Sequence, residues 1–288
     1  MATTEAPRFD AAKYKETTRQ QWQATAQAWN DWGPFLRKWL GPATETMFDM
    51  AGIKAGDRVL DVAAGTGDQT LQAAERVGRN GYVLATDISA AILALAAENA
   101  RNAGYRNVET RVLDGENLDV PPASFDAVIS RVGLIYFPDQ QAALLGMKRA
   151  LKPGGRVAAI VYAAAEKNPF FSIPVSIIRA RAKLPPPLLG QPGPFSLSAP
   201  GVLEETFRKA GLRNVTTTRV VANLCMASVA ECLRFEQESF GALHQMLSGL
   251  DAEGKSAAWE DIAARLAQFE TAHGFEGPCE MLVAVGSN

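Results

Sequence analysis

The stretch Val59-Leu60-Asp61-Val62-Ala63-Ala64-Gly65-Thr66-Gly67-Asp68 decides the fold. An apolar run of strand type enters a glycine turn, and apolar residues at helical spacing leave it. Glycines in such a turn let the backbone approach a ligand with no Cβ in the way. A dinucleotide site needs a third glycine, but the matching position is Thr70. Asp61 and Asp68 would also repel a pyrophosphate at the helix N-terminus. A zwitterion carrying an amine and a sulfonium suits the same charges. Asp61, at the strand end, is placed to face an α-amino group directly or through water. Asp68 reads as the residue that caps the helix.

Outward from this turn the chain alternates between two periodicities. Arg58 to Ala63, Tyr82 to Thr86, Val108 to Leu113, Phe125 to Ser130 and Arg156 to Tyr162 are short apolar runs that read as buried strands. Helical patterns separate them at Asp68 to Val77, Ser89 to Ala103 and Asp139 to Leu151. The stops are Gly78, Gly104 and the Lys152-Pro153-Gly154-Gly155 turn. Strand and helix in repetition predict a doubly wound α/β fold with a parallel sheet. Two further strand ends carry acids. Asp87 follows Gly67 by twenty residues, the spacing at which a carboxylate accepts from both hydroxyls of a ribose. Leu113-Asp114-Gly115-Glu116-Asn117 closes the third strand, where an acid can accept from an adenine amino group. For Asp61 and Asp87 the competing reading is a turn or helix-cap residue. Three acids at three successive strand ends describe an adenosine that bears an amino acid, S-adenosylmethionine.

On these motifs the segment from Gly52 to Val161 resembles the class I S-adenosylmethionine-dependent methyltransferases. It looks nearest to the ubiquinone/menaquinone C-methyltransferases and their small-molecule relatives. The resemblance implies a seven-stranded, mostly parallel sheet of Rossmann-like type whose last strand is antiparallel. It places Asp61, Ala63, Gly65 and Gly67 along the methionine end of the cofactor. Asp87 and Ile88 hold the ribose and the adenine face. Asp114, Gly115 and Glu116 take the adenine edge, and Arg131 offers backbone to the amino group. S-adenosylhomocysteine is the implied product. The turn after the fourth strand reads Ser130-Arg131-Val132-Gly133. It lacks the Asn/Asp-Pro-Pro-aromatic motif of DNA amine methyltransferases, the cysteine nucleophile of cytosine C5 enzymes and the carboxylates of metal-dependent catechol enzymes.

Three segments fall outside the core at 51–162, with its remainder at 201–225 and 274–288. Residues 1–50 hold Trp22, Trp29, Trp32 and Trp39 at spacings of seven, three and seven, a helical stripe interrupted at Gly33-Pro34. These rings suit cation–π contact with a sulfonium or plain packing. Residues 163–200 start a helix at Asn168-Pro169 and then concentrate six of the sixteen prolines. Residues 226–273 read as two helices joined at Ser248-Gly249-Leu250-Asp251, inserted between strand signals at Val215 to Leu224 and Cys279 to Val285. Together the three segments predict a helical cap over the strand ends. On the first inserted helix Val229, Leu233, Phe240, Leu243 and Leu247 share a face, with Glu236 in its middle. Glu236 there pairs with Arg179 or Arg181, or else faces the acceptor as a catalytic group. His244 on the rim of the face is the second catalytic candidate, and His273 is read as a helix-end residue.

Composition narrows the function classes. Lys+Arg 29 against Asp+Glu 31 leaves −2, and no basic run stands out, so nucleic acid is not an expected partner. The longest apolar run, Val157 to Ala165, is too short to cross a bilayer. The N-terminus holds Glu5 and Asp10 and no apolar core of a signal, so a cytoplasmic location is expected. Three cysteines without C-x-x-C spacing, and only two histidines, point to reduced thiols and no metal site. The sequence thus describes a methyltransferase of a small, partly apolar acceptor at oxygen or carbon. N-methylation of a small amine and a non-catalytic binding module are the alternatives. Monomer and homodimer stay open.

Overall fold

The computed structural model describes residues 9–188 and 190–288, so Glu5 lies outside the described residues. Helix α1 (Ala11–Ala24) starts where the Asp10 carboxylate accepts from the Lys13 N–H. A short α2 (Ala26–Asp31) leads to α3 (Gly33–Ala51). Pro34 falls in the first turn of α3, where a missing N–H costs nothing, so the chain reorients between α2 and α3. The core then alternates as β1 (Arg58–Val62), α4 (Asp68–Val77), β2 (Tyr82–Asp87), α5 (Ala90–Asn102) and β3 (Val108–Val112). It continues as β4 (Phe125–Arg131), a 3₁₀ turn at Leu134–Tyr136, α6 (Gln140–Ala150) and β5 (Leu151–Tyr162). Next come α7 (Pro169–Arg181), α8 (Val202–Lys209) and β6 (Arg213–Val221). The inserted region holds β7 (Leu224–Met226), α9 (Val229–Ser239), α10 (Gly241–Leu247), α11 (Ala252–Leu266), β8 (Glu270–Thr271) and β9 (Gly274–Gly277). Strand β10 (Glu280–Ser287) closes the chain.

Among the described residues the main sheet has seven strands in the order β3-β2-β1-β4-β5-β10-β6. Strands β3, β2, β1, β4 and β5 pair in parallel, and β10 runs antiparallel to both β5 and β6. After β3 the chain crosses to the other side of β1, so the order reverses between β1 and β4. A crevice at the carboxyl ends of the strands opens at such a reversal.

Three readings of the sequence are corrected. Lys152-Pro153-Gly154-Gly155 is not a turn between elements but a bulge inside β5. Phe125 pairs with Leu151 and Ala127 with Arg156, and Lys152 reaches back to Asp126 at 2.7 Å. Strand β3 is an edge strand rather than a buried one, with Val112 exposed. The first inserted helix breaks at Phe240, whose backbone leaves the helical region ahead of Gly241, so the insertion holds three helices. It also carries a small sheet, β7-β9-β8. The break shifts the buried face. Helix α9 turns Cys232, Phe235, Glu236 and Ser239 inward and leaves Leu233 half-buried.

Phe235 is the centre of the cap. Its ring lies 5.1 Å from Trp32 and from Phe35, 6.1 Å from Trp39, 6.3 Å from Trp29 and 5.3 Å from Phe240. One side chain of the insertion therefore joins α2 and α3 to α9. Edge-to-face geometry dominates these contacts, as the ring quadrupoles favour. Phe235→Ala should lower unfolding free energy by about 3–5 kcal/mol in urea titration, the cost of an emptied aromatic site. A loss under about 1 kcal/mol would show that the cap is held elsewhere.

Candidate active site

A cavity lies at the carboxyl ends of the parallel strands. Two strand-end turns form its floor. After β1, Ala63 and Gly65 both take φ of +59°; after β4, Val132 takes +60°. A β-branched residue in the left-handed region is strained. The two turns touch: a Cβ on Gly133 would lie 2.4 Å from the Ala63 Cβ, so only glycine fits there.

Asp87 ends β2, is buried and lines the cavity. One oxygen accepts from the Gly65 N–H and the other from the Ser89 N–H, each at 3.0 Å. Burial raises its pKa, and the backbone N–H groups of Ser89, Gly65 and Ile88 counter part of that rise. A carboxylate has about four lone-pair sites, so acceptor capacity remains for a ligand. Ala63, Gly65, Ile88, Asp114, Gly115 and Arg131 line the same cavity.

Asp61 and Gly67 do not. The Asp61 carboxylate is fully buried behind the turn, accepting from Thr70 Oγ1 at 2.6 Å and Gln69 Nε2 at 3.2 Å. Burial pushes it up to about 6, against the pull of those two donors and of Arg131. Its expected contact with an amino group is therefore corrected: it ties β1 to the first turn of α4. Gln69 stands on the cavity side instead. Gly67 occupies the helix cap position expected for Asp68. Asp68 binds Arg131 Nη1 at 2.7 Å and Arg37 Nε at 3.0 Å. Arg131, expected to offer backbone, thus has its guanidinium buried beside the cavity, with Thr44 Oγ1 at 3.1 Å.

At the opposite end Lys15 of α1 bridges Asp114 at 2.7 Å and Glu116 at 2.5 Å. Glu116 also accepts from the Asp139 N–H and lines a second cavity with Lys15 and Ile88, which both border the first. Helices α1, α2 and α3 supply Trp22, Trp29 and Trp39 to the wall, and the insertion supplies Phe240. No described residue of 163–200 lines the cavity. Helix α7 packs on α10 and α11 behind it.

The two catalytic candidates are corrected as well. His244 is exposed, is absent from the cavity wall, and meets the Gln237 carbonyl through Nε2. Glu236 does point inward, fully buried, but it neither lines the cavity nor meets an arginine. Arg181 binds Asp261, and Arg179 binds the Pro185 carbonyl. Glu236 Oε1 has Cys232 Sγ at 4.0 Å, and Oε2 has no partner among the described residues. Desolvation drives its pKa far upward, which favours the protonated carboxyl in the folded chain. Lys15, Gln69, Tyr136 and Tyr162 are wall residues that the motifs did not reveal. For Tyr162 the signal existed, since it ends β5 as Asp87 ends β2.

Residues 53–184 match a methyltransferase domain family. A ubiquinone/menaquinone biosynthesis C-methyltransferase from Teredinibacter turnerae is 38% identical over 110 residues, which cover 38% of this chain and 44% of that relative. The chain thus spans less than half the length of the curated relatives it matches. Among solved structures, phosphoethanolamine N-methyltransferase 2 of Haemonchus contortus superposes with a TM-score of 0.60 at 18% identity, covering 96% of this chain and 60% of that one. The [4+2]-cyclase SpnF superposes with a TM-score of 0.55 at 19% identity, covering 93% and 96%. Residues 53–184 are thus similar in sequence to methyltransferase domains, and the fold is shared with the solved structures. One fold hosts methyltransferases and a cyclase, so the reaction has to be argued from the site.

The buried glutamate sets a pH dependence. Glu236 binds its proton more tightly in the folded than in the unfolded chain. Its stabilising contribution is complete below its unfolded pKa of about 4.3 and is lost as pH rises through the folded value. Glu236→Gln removes that loss. The melting temperature of the variant should gain on that of the wild type as pH is raised from about 5 to about 8. A gap that stays constant across this range would mean that Glu236 is ionised in the fold.

Proposed function

We propose that this protein is an S-adenosylmethionine-dependent methyltransferase acting on a small, partly apolar molecule at oxygen or carbon. The observation that carries the reading is Asp87. It is a buried acid, aimed into the cavity beside the glycine turn, and both of its oxygens are oriented by backbone N–H groups. An acid held in this way fits the paired hydroxyls of a ribose. Gly115 and Asp114 stand beyond it for the base, and Gln69 and Arg131 stand on the other side for the amino-acid end. Bound there, S-adenosylmethionine supplies a methyl group on a sulfonium, which passes to a nucleophilic atom and leaves neutral S-adenosylhomocysteine.

The chain's own work is placement and exclusion of water. Of the charged groups on the wall, Lys15 holds Asp114, Arg131 holds Asp68, and Asp87 is held by backbone. This arrangement favours alignment, worth up to about 7–11 kcal/mol, over general-base catalysis. Trp22 and Trp29, edge to face at 5.3 Å, put aromatic rings on the wall, surroundings that suit a cationic sulfonium. The likeness to a C-methyltransferase supports carbon as one acceptor atom. A non-catalytic module has no need of the oriented Asp87.

Asp87→Ala should raise the dissociation constant for S-adenosylmethionine by about tenfold or more in calorimetry, because hydrogen bonds to a charged acceptor are lost. Unchanged affinity in a variant with native circular dichroism would sink the assignment.

A further inference from the structure

Five strand ends meet the cavity in the order β3, β2, β1, β4, β5. At about 4.8 Å per strand they span about 19 Å. Acids stand at one end, Asp114 just after β3 and Asp87 at the end of β2. At the other end β5 finishes in Tyr162, which is 3% exposed, and the 3₁₀ turn after β4 supplies Tyr136. Among the described residues neither phenol oxygen has a hydrogen-bond partner in the chain. Neither is among the fully enclosed orphan atoms, which are those of Ser130, Thr217, Glu236 and Ser239. Both side chains line the cavity.

A buried hydroxyl that opens only into a cavity is a donor waiting for an acceptor. Burial pushes both phenols up, so each keeps its proton at neutral pH. The surrounding wall is aromatic: Trp22 lies 5.7 Å from Tyr136, and Trp39 and Phe240 face the same space. Flat rings stack well against such walls. The nearby Arg131 guanidinium, close enough to Tyr162 to influence its titration, is paired with Asp68. Its charge is largely offset, and the two hydroxyl donors are what favour an oxygen of partial or full negative charge.

We propose that Tyr136 and Tyr162 form the acceptor subsite and donate to an oxygen of a planar, neutral or anionic acceptor, a phenol or an enol. The assignment rests on the methyltransferase reading above. It divides the cavity into a carboxylate end for the adenosine and a hydroxyl end for the acceptor. The same donors serve methylation at the bound oxygen or at the adjacent ring carbon, because both draw on the same oxyanion. The acceptor gives up its hydroxyl proton to solvent, and the sulfur–methyl bond breaks as the new bond to oxygen or carbon forms. Methylation at carbon is completed by loss of the ring C–H proton to solvent.

The test uses the full chain loaded with S-adenosylhomocysteine and three probes: 4-nitrophenol, nitrobenzene and 4-nitrobenzylamine. The wild type should bind 4-nitrophenol about tenfold or more tightly than nitrobenzene, the gain expected from hydrogen bonds to a charged oxygen. It should bind the amine no better than nitrobenzene. The 4-nitrophenol absorbance should shift toward the phenolate on binding. Tyr162→Phe should abolish the preference and the shift while S-adenosylhomocysteine affinity holds, and Tyr136→Phe should act in the same direction. Equal binding of phenol and nitrobenzene, binding of neither, tighter binding of the amine, or a preference that survives Tyr162→Phe would each overturn the subsite. So would a Tyr162→Phe variant that loses S-adenosylhomocysteine, since the hydroxyl would then belong to the adenosyl site. Failure of the wild type to bind S-adenosylhomocysteine at all would overturn the methyltransferase reading as well.

Discussion

The site depends on one close approach, the contact between the turn that leaves β1 and the turn that leaves β4. Ala63 and Val132 both enter the left-handed region at this point, which costs about 1–3 kcal/mol each. Neighbouring strands hold both turns in place. The Ala64 N–H donates to Thr86 at 3.0 Å, and the Val132 N–H donates to Ile160 at 2.9 Å. The sheet therefore stabilises a backbone shape that the residues alone would avoid. Gly133 makes the shape sterically allowed, because any side chain there would meet Ala63. The resulting crevice sits where the strand order reverses, and every wall residue is placed relative to it.

Electrostatics then single out one acid. Asp61, Asp68, Asp87, Asp114 and Glu116 cluster around the crevice. Thr70 and Gln69 satisfy Asp61; Arg131 and Arg37 neutralise Asp68; Lys15 neutralises Asp114 and Glu116. Asp87 alone of the five is held by main-chain N–H groups rather than by side chains. Those donors orient the carboxylate and leave its remaining lone pairs facing the cavity. A site built to bind paired hydroxyls needs an acid in this condition, ionised and aligned but unspent.

Local pattern made the sheet legible, because strand and helix periodicities here follow the glycine turn and the caps. Asp68 to Val77 forms α4 with those same ends. What the pattern could not supply was partnership. Asp61 and Asp87 look alike as acids at strand ends, yet one is consumed by α4 and the other faces the cavity. Glu236 was legible as inward-facing, but its lack of a cation depends on where Arg179 and Arg181 go. Phe235 escaped notice because the helix break at Phe240 shifts the buried face, and such a break depends on packing around Gly241 more than on propensity. Tyr162 could be read as the end of a strand, but Tyr136 carries no motif, and that the two stand together becomes visible only once the topology places β5 beside β4.

The walls of the cavity differ in how firmly they are held, and that difference bears on how ligands enter. Helix α3 buries eight of its residues against β4, β5 and β10, whereas α1 buries none. Helix α1 nevertheless lines the cavity with Lys15, Thr18 and Trp22, from the acid end to Tyr136. Its polar ties to the core are the Lys15 bridge to Asp114 and Glu116 and the Gln23 Oε1 that accepts from Ser89 Oγ at 3.4 Å. Solvent screening limits the Asp114 arm, with side chains 28% and 32% exposed, to about 0–1 kcal/mol. Displacing α1 therefore breaks few buried contacts, while displacing α3 would expose Leu36, Trp39, Met47 and Phe48 together. Local opening proceeds where the least apolar surface is uncovered. Of these two walls, α1 is the one that holds the lesser buried apolar surface, and it borders both the acid end and Tyr136.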